Sequence, residues 1–183
     1  VTGVNDNNPV FTSAASATFA ENGTAVVLTA AATDADKPNQ TLSYSLSGTD
    51  AALFNLNSST GALTFKTAPN FEAAADAGAD NIYNLVITVN DGAGRTTNQN
   101  VTVTVTGEND NSPVFTSSAS ASFAENGTGV VLTAAATDAD KPNQTLSYSL
   151  SGTDAALFNL NSSTGALTFK AAPNFEAAAD AGA

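Results

Sequence analysis

The sequence predicts an all-β protein built from tandem seven-stranded sandwiches of the immunoglobulin-like, Greek-key type. The first observation is a repeat: residues 1–79 align with residues 105–183, and only six of these 79 positions differ. The 104-residue period has the length of a whole domain, because solenoid repeats are about 20–50 residues long. The second observation is apolar/polar alternation in short runs, about seven per 100 residues, which is the strand count of such a sandwich.

The predicted strands of the first repeat are residues 11–19, 26–33, 42–47, 54–56, 62–65, 83–90 and 101–106. Alternation is cleanest at 42–47, 83–90 and 101–106, and it predicts one buried and one wet face. Residues 58–61 form a turn signal between two of the strands. Helix is expected to be scarce, with Asp50 capping a single turn and the Ala-rich residues 73–79 forming a loop.

The repeat also predicts the domain boundaries. Residues 1–8 are interpreted as a linker from a preceding repeat, 9–108 as a complete repeat, 109–112 as a linker and 113–183 as a second repeat. The second repeat has no counterpart of residues 80–104, so we expect it to lack its last two strands. The absence of methionine indicates a piece of a longer polypeptide, which we expect to continue beyond residue 183.

The composition excludes several functional classes. There are 17 acidic and 5 basic residues, for a net charge of −12, and no His or Cys. Five scattered cations cannot neutralise a run of phosphates, which argues against a nucleic-acid partner. A Ser-His-Asp triad, a thiol nucleophile and an ordinary zinc site are excluded, which leaves oxygen ligands suited to calcium. No apolar run approaches the ~18 residues of a transmembrane segment.

The acidic residues are concentrated in motifs that recur at the same positions of both repeats. The sequence between the repeats is GENDNSP at 107–113, and its first copy is GVNDNNP at 3–9. A DAD tripeptide occurs at 34–36 and again at 138–140. Taken singly, such Asp/Asn/Gly/Pro clusters are ordinary turn chemistry, and Asp91-Gly92 is a hairpin signal. The DAD motif is not an EF-hand loop, because Asn39 occupies the position that requires glycine.

Together these motifs resemble the cadherin repeat. They are the NDNxPxF linker, AEN at 20–22, DAD at 34–36 and NDG at 90–92, in this order, and the resemblance covers essentially all 183 residues. The Ala/Thr/Asn-rich sequence of the repeat is similar to the bacterial cadherin-like repeats of large surface adhesins. In cadherins, calcium ions bind between successive domains.

The resemblance implies three groups of calcium ligands. At the junction of the two repeats they are Glu21, Glu72, Asn109, Asp110, Asn111, Asp138 and Asp140, with backbone carbonyls from Glu108 and near Asn143. The half-junction at the amino end comprises Asn5, Asp6, Asn7, Asp34, Asp36, Asn39 and Asp91, and Glu125 and Glu176 belong to the carboxyl end. Gly107 and Asn70 stand where the family usually has Asp, which implies one or two ions per junction rather than three.

The remaining polar and aromatic residues are given structural roles. Asp50, Asp76 and Asp80 are expected to be solvated turn residues, and Lys37, Lys66 and Arg95 solvating charges. The aromatic residues expected in the core are Phe11, Phe19, Tyr44, Phe54, Phe65 and Tyr83.

The functional hypothesis is a non-enzymatic, calcium-stiffened spacer or adhesion module of an extracellular bacterial surface protein. Its expected partners are calcium, neighbouring repeats and like chains or surface polysaccharide. The alternative is a polysaccharide-binding module, which the absence of Trp disfavours because few aromatic rings remain for sugar stacking. A glycoside hydrolase using paired carboxylates is not expected, because the acids recur at the repeat ends and indicate metal ligands.

Overall fold

The computed structural model describes residues 3–179. Two compact units divide the chain, the first ending at Glu108 and the second beginning at Asn109. Each unit is a separate β structure with its own sheets.

The described part of the first unit, residues 3–108, contains nine strands and one single-turn 3₁₀ helix, at Ala51–Leu53. The strands are β1 (Val10–Phe11), β2 (Ser16–Ala20), β3 (Leu28–Thr29), β4 (Ala32–Thr33), β5 (Ser43–Ser47), β6 (Phe54–Leu56), β7 (Ala62–Phe65), β8 (Ile82–Asn90) and β9 (Thr96–Thr106). One sheet has the order β2-β9-β8-β5, a second has the order β3-β7-β6, and β1 pairs with β4. Only the β2–β9 pair is parallel.

The two strands predicted at 11–19 and 26–33 are each interrupted, because they pass from one sheet to another. The first divides into β1, which pairs with β4, and β2, which pairs with β9. The second divides into β3, which pairs with β7, and β4. If β1 and β2 are counted as one interrupted strand, and β3 and β4 as another, the unit has seven strands. The predicted fold class is confirmed.

The core lies between the four-stranded sheet and the β3-β7-β6 sheet. Alternate residues of β8 and β9 face it and are buried: Tyr83, Leu85, Ile87, Val89, Val101, Val103 and Val105. From the opposite sheet come Leu63 and Phe54, with the Phe65 ring 5.1 Å from the Tyr83 ring in an edge-on contact. Each fully buried side chain of this kind contributes about 1.5–3 kcal/mol, so these two strands supply much of the stability.

The second unit repeats the smaller sheets of the first. Its strands are β10 (Val114–Phe115), β11 (Val130–Thr133), β12 (Ala136–Thr137), β13 (Phe158–Leu160) and β14 (Ala166–Phe169), with 3₁₀ turns at Ala155–Leu157 and Phe175–Ala177. The sheet orders are β11-β14-β13 and β10-β12. Residues 109–179 contain no counterpart of the four-stranded sheet.

The described part of the second unit lacks this sheet because the pairing strands are absent, not because the sequences of the other strands have changed. Residues 147–151 are identical to β5 yet do not form a strand, because the one strand that pairs with β5 among the described residues of the first unit is β8, which has no counterpart in residues 109–179. Residues 120–124 differ from β2 only in having Ser122 in place of Thr18, and they too are irregular, because β2 pairs with β9 in the described part of the first unit. As a result Phe115 is 69% exposed in the second unit, whereas its counterpart Phe11 packs against the core of the first.

Candidate metal centre

The amino end of the first unit gathers the segments that carry the linker and DAD motifs. Strand β1 pairs antiparallel with β4, with Val10 opposite Thr33. The residues preceding β1 therefore lie beside the residues following β4. This register places Asn7 next to Asp36, and the backbone N–H of Asn7 donates to the two Asp36 carboxylate oxygens at 3.3 and 3.1 Å.

The Asn7 side chain bridges two carboxylates at this end. Its Nδ2 donates to Asp36 Oδ1 at 2.6 Å and to Asp6 Oδ1 at 2.9 Å. The backbone N–H of Asp36 in turn donates to Asp34 Oδ1 at 2.9 Å. Asp36 is buried, and the Asn7 side-chain hydrogen bond outweighs burial and lowers the pKa of Asp36 below its ordinary value. The carboxylate is thus held ionised inside the protein.

Asp91 organises the turn between β8 and β9. Its Oδ1 accepts the backbone N–H groups of Ala93 at 2.8 Å and Arg95 at 3.0 Å. Burial acts to raise the pKa of Asp91, but these hydrogen bonds more than offset it, so the pKa lies below its ordinary value. Within the described part of the chain, no donor reaches the buried Oδ2 of Asp91 or the buried Oδ2 of Asp34. Two carboxylate oxygens at this end are therefore buried without a hydrogen-bond donor from the described residues.

Two further members of the predicted set at this end are engaged with protein donors. Asn5 donates from Nδ2 to the Ala93 carbonyl at 3.1 Å, and its Oδ1 accepts from Gln40 Nε2 at 3.2 Å. Asn39 is exposed, and its Oδ1 accepts from the Lys37 ammonium. Both are ordered by contacts that require no ion.

The carboxyl end of the first unit holds Glu21 and Glu72. Glu21 follows β2 directly, is buried, and accepts the backbone N–H groups of Phe71 and Glu108, each at 2.7 Å. Both carboxylate oxygens of Glu72 are buried without a donor from the residues described. An acidic side chain in this position is costly to bury unless a cation compensates it.

The second unit reproduces the arrangement at its own amino end. The Asn111 N–H donates to Asp140 at 3.1 and 3.3 Å, and its Nδ2 bridges Asp110 Oδ1 and Asp140 Oδ1, each at 2.8 Å. Asp140 is buried, and the Asn111 side chain is the main cause that lowers the pKa of Asp140. The Asp140 N–H donates to Asp138 Oδ1 at 3.0 Å. Two independent copies of one sequence therefore form the same carboxylate cluster.

The other predicted residues of the second unit are more loosely held. Asn109 is exposed, and Asn143 accepts a hydrogen bond from Lys141, as Asn39 does from Lys37. At the carboxyl end, Glu125 accepts the Phe175 N–H at 3.2 Å, and Glu176 lies exposed in the 3₁₀ turn.

Two acids outside the predicted set are not solvated, contrary to expectation. Asp50 is buried and makes no side-chain cap to its 3₁₀ helix; its oxygens accept the N–H groups of Ala77 and Asn84 instead. Asp76 is also buried and accepts the N–H groups of Gly78, Asp80 and Asn81. The Asp50 partners lie 27 and 34 residues along the chain, so no local pattern could reveal them.

The donor chemistry at these ends fits a hard cation. Carboxylate, amide and backbone carbonyl oxygens are the ligands calcium prefers, at about 2.3–2.6 Å and in sets of about six to eight. The buried oxygens of Asp34, Glu72 and Asp91 that lack donors are of this kind. No softer ligand competes, because the sequence has neither His nor Cys.

The first unit is a β sandwich with acidic residues gathered at both of its ends, and comparison with known families identifies the class of protein. The sequence model of the cadherin domain matches residues 15–106, which is half of the chain. The chain therefore belongs to the cadherin family, whose domains are extracellular and typically mediate calcium-dependent adhesion. None of the helices among residues 3–179 has the length and apolar character needed to cross a bilayer.

Individual relatives support the assignment over most of the chain. Human Protocadherin Fat 4 is 35% identical over 96% of this chain, and human Cadherin-related family member 1 is 33% identical over 91% of it. The chain spans 4% and 19% of the lengths of these two relatives. Both are vertebrate proteins.

Solved cadherin structures have the same fold. Mouse Cadherin-23 EC22-24 superposes with a TM-score of 0.73 at 28% identity, covering 96% of this chain and 58% of that one. Human Protocadherin-24 EC1-2 has a TM-score of 0.75 at 23% identity, covering 94% of this chain and 81% of that one. The second likeness, at this identity, concerns the fold alone.

Proposed function

We propose that this chain is a calcium-binding module, stiffened by calcium at the ends of its repeats, that serves as an extended spacer or adhesive element of a bacterial surface protein. The observation that carries the proposal is the set of buried carboxylate oxygens without donors on Asp34, Glu72 and Asp91. Buried carboxylate oxygens of this kind are stabilised by a bound cation, and the donor set suits calcium.

The ligand set follows the family motifs. At the amino end of each repeat the proposed side-chain ligands are Asp6, Asp34, Asp36 and Asp91 in the first and Asp110, Asp138 and Asp140 in the second. At the carboxyl end they are Glu21 and Glu72, with Glu125 and Glu176 as their copies. The remaining proposed ligands, which would complete the set through amide or backbone oxygens, are Asn5, Asn7, Asn39, Asn109, Asn111, Asn143 and Glu108.

A steric feature supports one or two ions per junction rather than three. A Cβ atom at Gly3 would lie 1.8 Å from the carbonyl oxygen of Lys37, so a side chain here would require the backbone to shift. This close approach favours glycine at the position where the family usually has Asp. Asn70, an amide in place of a second family carboxylate, reduces the charge at the carboxyl end.

The physical effect of calcium follows from charge. Two carboxylates ~4 Å apart repel by up to ~4 kcal/mol at an effective dielectric of ~20, and shared coordination replaces this repulsion. For extracellular modules a Kd of about 10⁻⁴–10⁻³ M is typical. At a calcium concentration tenfold above Kd, each site would add about 1.4 kcal/mol to the stability of the folded state.

The bacterial setting rests on the Ala/Thr/Asn-rich composition of the repeat alone, because the relatives found are vertebrate proteins and do not support it. Neighbouring repeats of the same chain are the proposed structural partners, and like chains the proposed adhesive ones. A polysaccharide-binding role is less well supported, because none of the aromatic side chains in the described part of the first unit is fully exposed. A glycan array in calcium would distinguish the two roles.

The test is titration calorimetry together with thermal unfolding and small-angle scattering, in calcium and in chelator. We expect one or two ions per junction, a higher unfolding temperature and a longer, stiffer particle in calcium. Asp140→Ala should reduce all three effects, whereas the matched control Asp154→Ala, in a turn outside the motif, should not. No calcium-dependent change in the wild-type protein would refute the proposal.

A further inference from the structure

We propose that Arg95 is a positioning residue that holds the linker segment, residues 5–8, against the first repeat before any ion binds. The guanidinium donates from Nε to the Asn5 carbonyl at 3.1 Å and from Nη1 to Asn8 Oδ1 at 3.2 Å. The two contacts bracket Asp6 and Asn7, so Arg95 anchors both sides of the residues that would face calcium. The effect of Arg95 on calcium affinity rests on the proposed function, whereas its contacts with the linker segment do not.

The backbone of Arg95 is itself held in place by hydrogen bonds to Asp91. Arg95 donates its own N–H to Asp91 Oδ1 at 3.0 Å, and Asp91 donates its N–H back to the Arg95 carbonyl at 3.2 Å. A third contact joins the same two segments, because Asn5 Nδ2 donates to the Ala93 carbonyl. The turn that carries Asp91 and the segment that carries Asp6 are thus tied together by protein hydrogen bonds alone.

The choice of arginine is physically meaningful. A guanidinium is planar and always charged, and it presents five donors in a fixed arrangement that can reach two separate acceptors. Lysine has a single ammonium on a flexible stem and would not hold both acceptors in one geometry. The sequence contains one arginine, and its other four cations are lysines. Arg95 is half-buried, which favours a positioning role over a solvated one.

The same contacts change the role of Asn5. Its carbonyl oxygen accepts from Arg95 and its Oδ1 accepts from Gln40, so both of its oxygens already have donors. Asn5 is therefore ordered by protein contacts before any ion binds, and each of its oxygens keeps a second lone pair that a cation could use. This assigns a structural task to the first Asn of the NDN motif in this repeat.

The experiment compares Arg95→Lys and Arg95→Gln with the wild-type chain, and Lys66→Gln is the matched control because Lys66 contacts the Ala52 carbonyl instead. In chelator, backbone hydrogen exchange at Asn7 reports the segment, since its N–H is held by Asp36. The Asn111 N–H, bound in the same way to Asp140, is an internal reference. NMR shifts of the Asn7 N–H during calcium titration then give the affinity at the amino end.

We expect both Arg95 variants to accelerate exchange at Asn7 about tenfold and to weaken calcium binding there by a similar factor. Exchange at Asn111 in the two Arg95 variants, and exchange at Asn7 in Lys66→Gln, should stay at wild-type values. Unchanged Asn7 exchange in Arg95→Lys and Arg95→Gln would overturn the inference. A wild-type chain that binds no calcium would overturn the proposed function alone, because the exchange measurement in chelator still tests the anchoring by Arg95.

Discussion

The Asp50 carboxylate accepts a 2.7 Å hydrogen bond from the backbone N–H of Asn84, a residue 34 positions further along the chain. Its other oxygen accepts the N–H of Ala77 at 2.8 Å. One buried carboxylate thus connects the turn before the 3₁₀ helix to the loop that leads into β8 and to β8 itself. It fixes the start of the strand whose apolar face builds the core.

Replacing Asp50 with asparagine should therefore destabilise the first unit. One oxygen would be lost and an amide NH₂ would face a backbone donor, which costs about 1–3 kcal/mol for a buried group. Urea unfolding followed by circular dichroism in chelator measures the change. Asp80→Asn is the control, since Asp80 is exposed and accepts the Ile82 N–H, and it should cost less than about 1 kcal/mol. Equal losses in the two variants would contradict this role of Asp50.

Asp76 should make the stability of the first unit depend on acid pH. Burial acts to raise its pKa, but the N–H donors of Asp80, Asn81 and Gly78 outweigh this and lower the pKa below the ordinary value. A carboxyl whose pKa is lower in the folded state stabilises the protein above its unfolded pKa of about 3.9. That contribution is lost as the pH falls through the lower folded pKa.

The expected result is a loss of unfolding free energy below about pH 4 that is steeper in the wild-type protein than in Asp76→Asn. Other carboxyls with lowered pKa values, among them Asp36 and Asp91, contribute equally to both proteins, so the difference between the two curves isolates Asp76. Denaturant melts in chelator between pH 3 and pH 6 provide the measurement. Parallel curves would show that Asp76 does not carry this dependence.

Tyr44 joins the four-stranded sheet to the β1–β4 pair. Its hydroxyl oxygen accepts the backbone N–H of Ala32 at 3.0 Å, and Tyr148 makes the same bond to Ala136 at 3.1 Å in the second unit. Tyr44→Phe would leave the Ala32 N–H without this acceptor and should cost about 1 kcal/mol in thermal or urea unfolding. Ser43→Ala, at an exposed position of the same strand, is the control and should be close to neutral. A neutral Tyr44→Phe would show that water replaces the bond at no cost.

The strand pattern of the first unit was predictable wherever one face is buried, and less so elsewhere. In β8 the alternation of Tyr83, Leu85, Ile87 and Val89 with polar residues marks the strand, and these four side chains are buried. Strand β9, however, begins at Thr96 rather than at the predicted residue 101. Residues 96–100 are polar throughout, and they are extended because they pair with residues 86–90 of β8. Backbone pairing of this kind leaves no hydrophobic signal in the sequence.

For the acidic residues too, the sequence motifs predicted only what depends on neighbouring residues, and the fold decided the remaining contacts. The motifs indicated which acids cluster, but the contact of Asn7 with Asp36 arises from the β1–β4 register, which connects residues 29 positions apart. Asp50 and Asp76 have the composition of solvated turns and are buried only because distant N–H groups converge on them. No sequence motif indicated a role for Arg95, because its two contacts with the linker segment exist only in the folded repeat.

The clearest test of tertiary control uses the two copies of one sequence. Residues 43–47 form β5 and pair with residues 86–90 of β8, whereas the identical residues 147–151 are irregular and leave Leu150 41% exposed. Appending a copy of residues 80–108 after residue 183 supplies counterparts of β8 and β9 at the spacing found in the first unit. Residues 147–151 should then become an edge strand, because the apolar face they present is the same and the missing backbone partners are restored.

Hydrogen exchange measures this outcome directly. In the extended chain, protection of the backbone N–H groups at 147–151 should rise to the level of those at 43–47, and Leu150 should become half-buried, as Leu46 is. A control extension that carries Val86→Pro in the copied segment removes a ladder donor in the central strand and should give much weaker protection. Residues 147–151 that stay unprotected in the unmodified extension would mean that this sequence needs more than its β8 and β9 partners to become a strand.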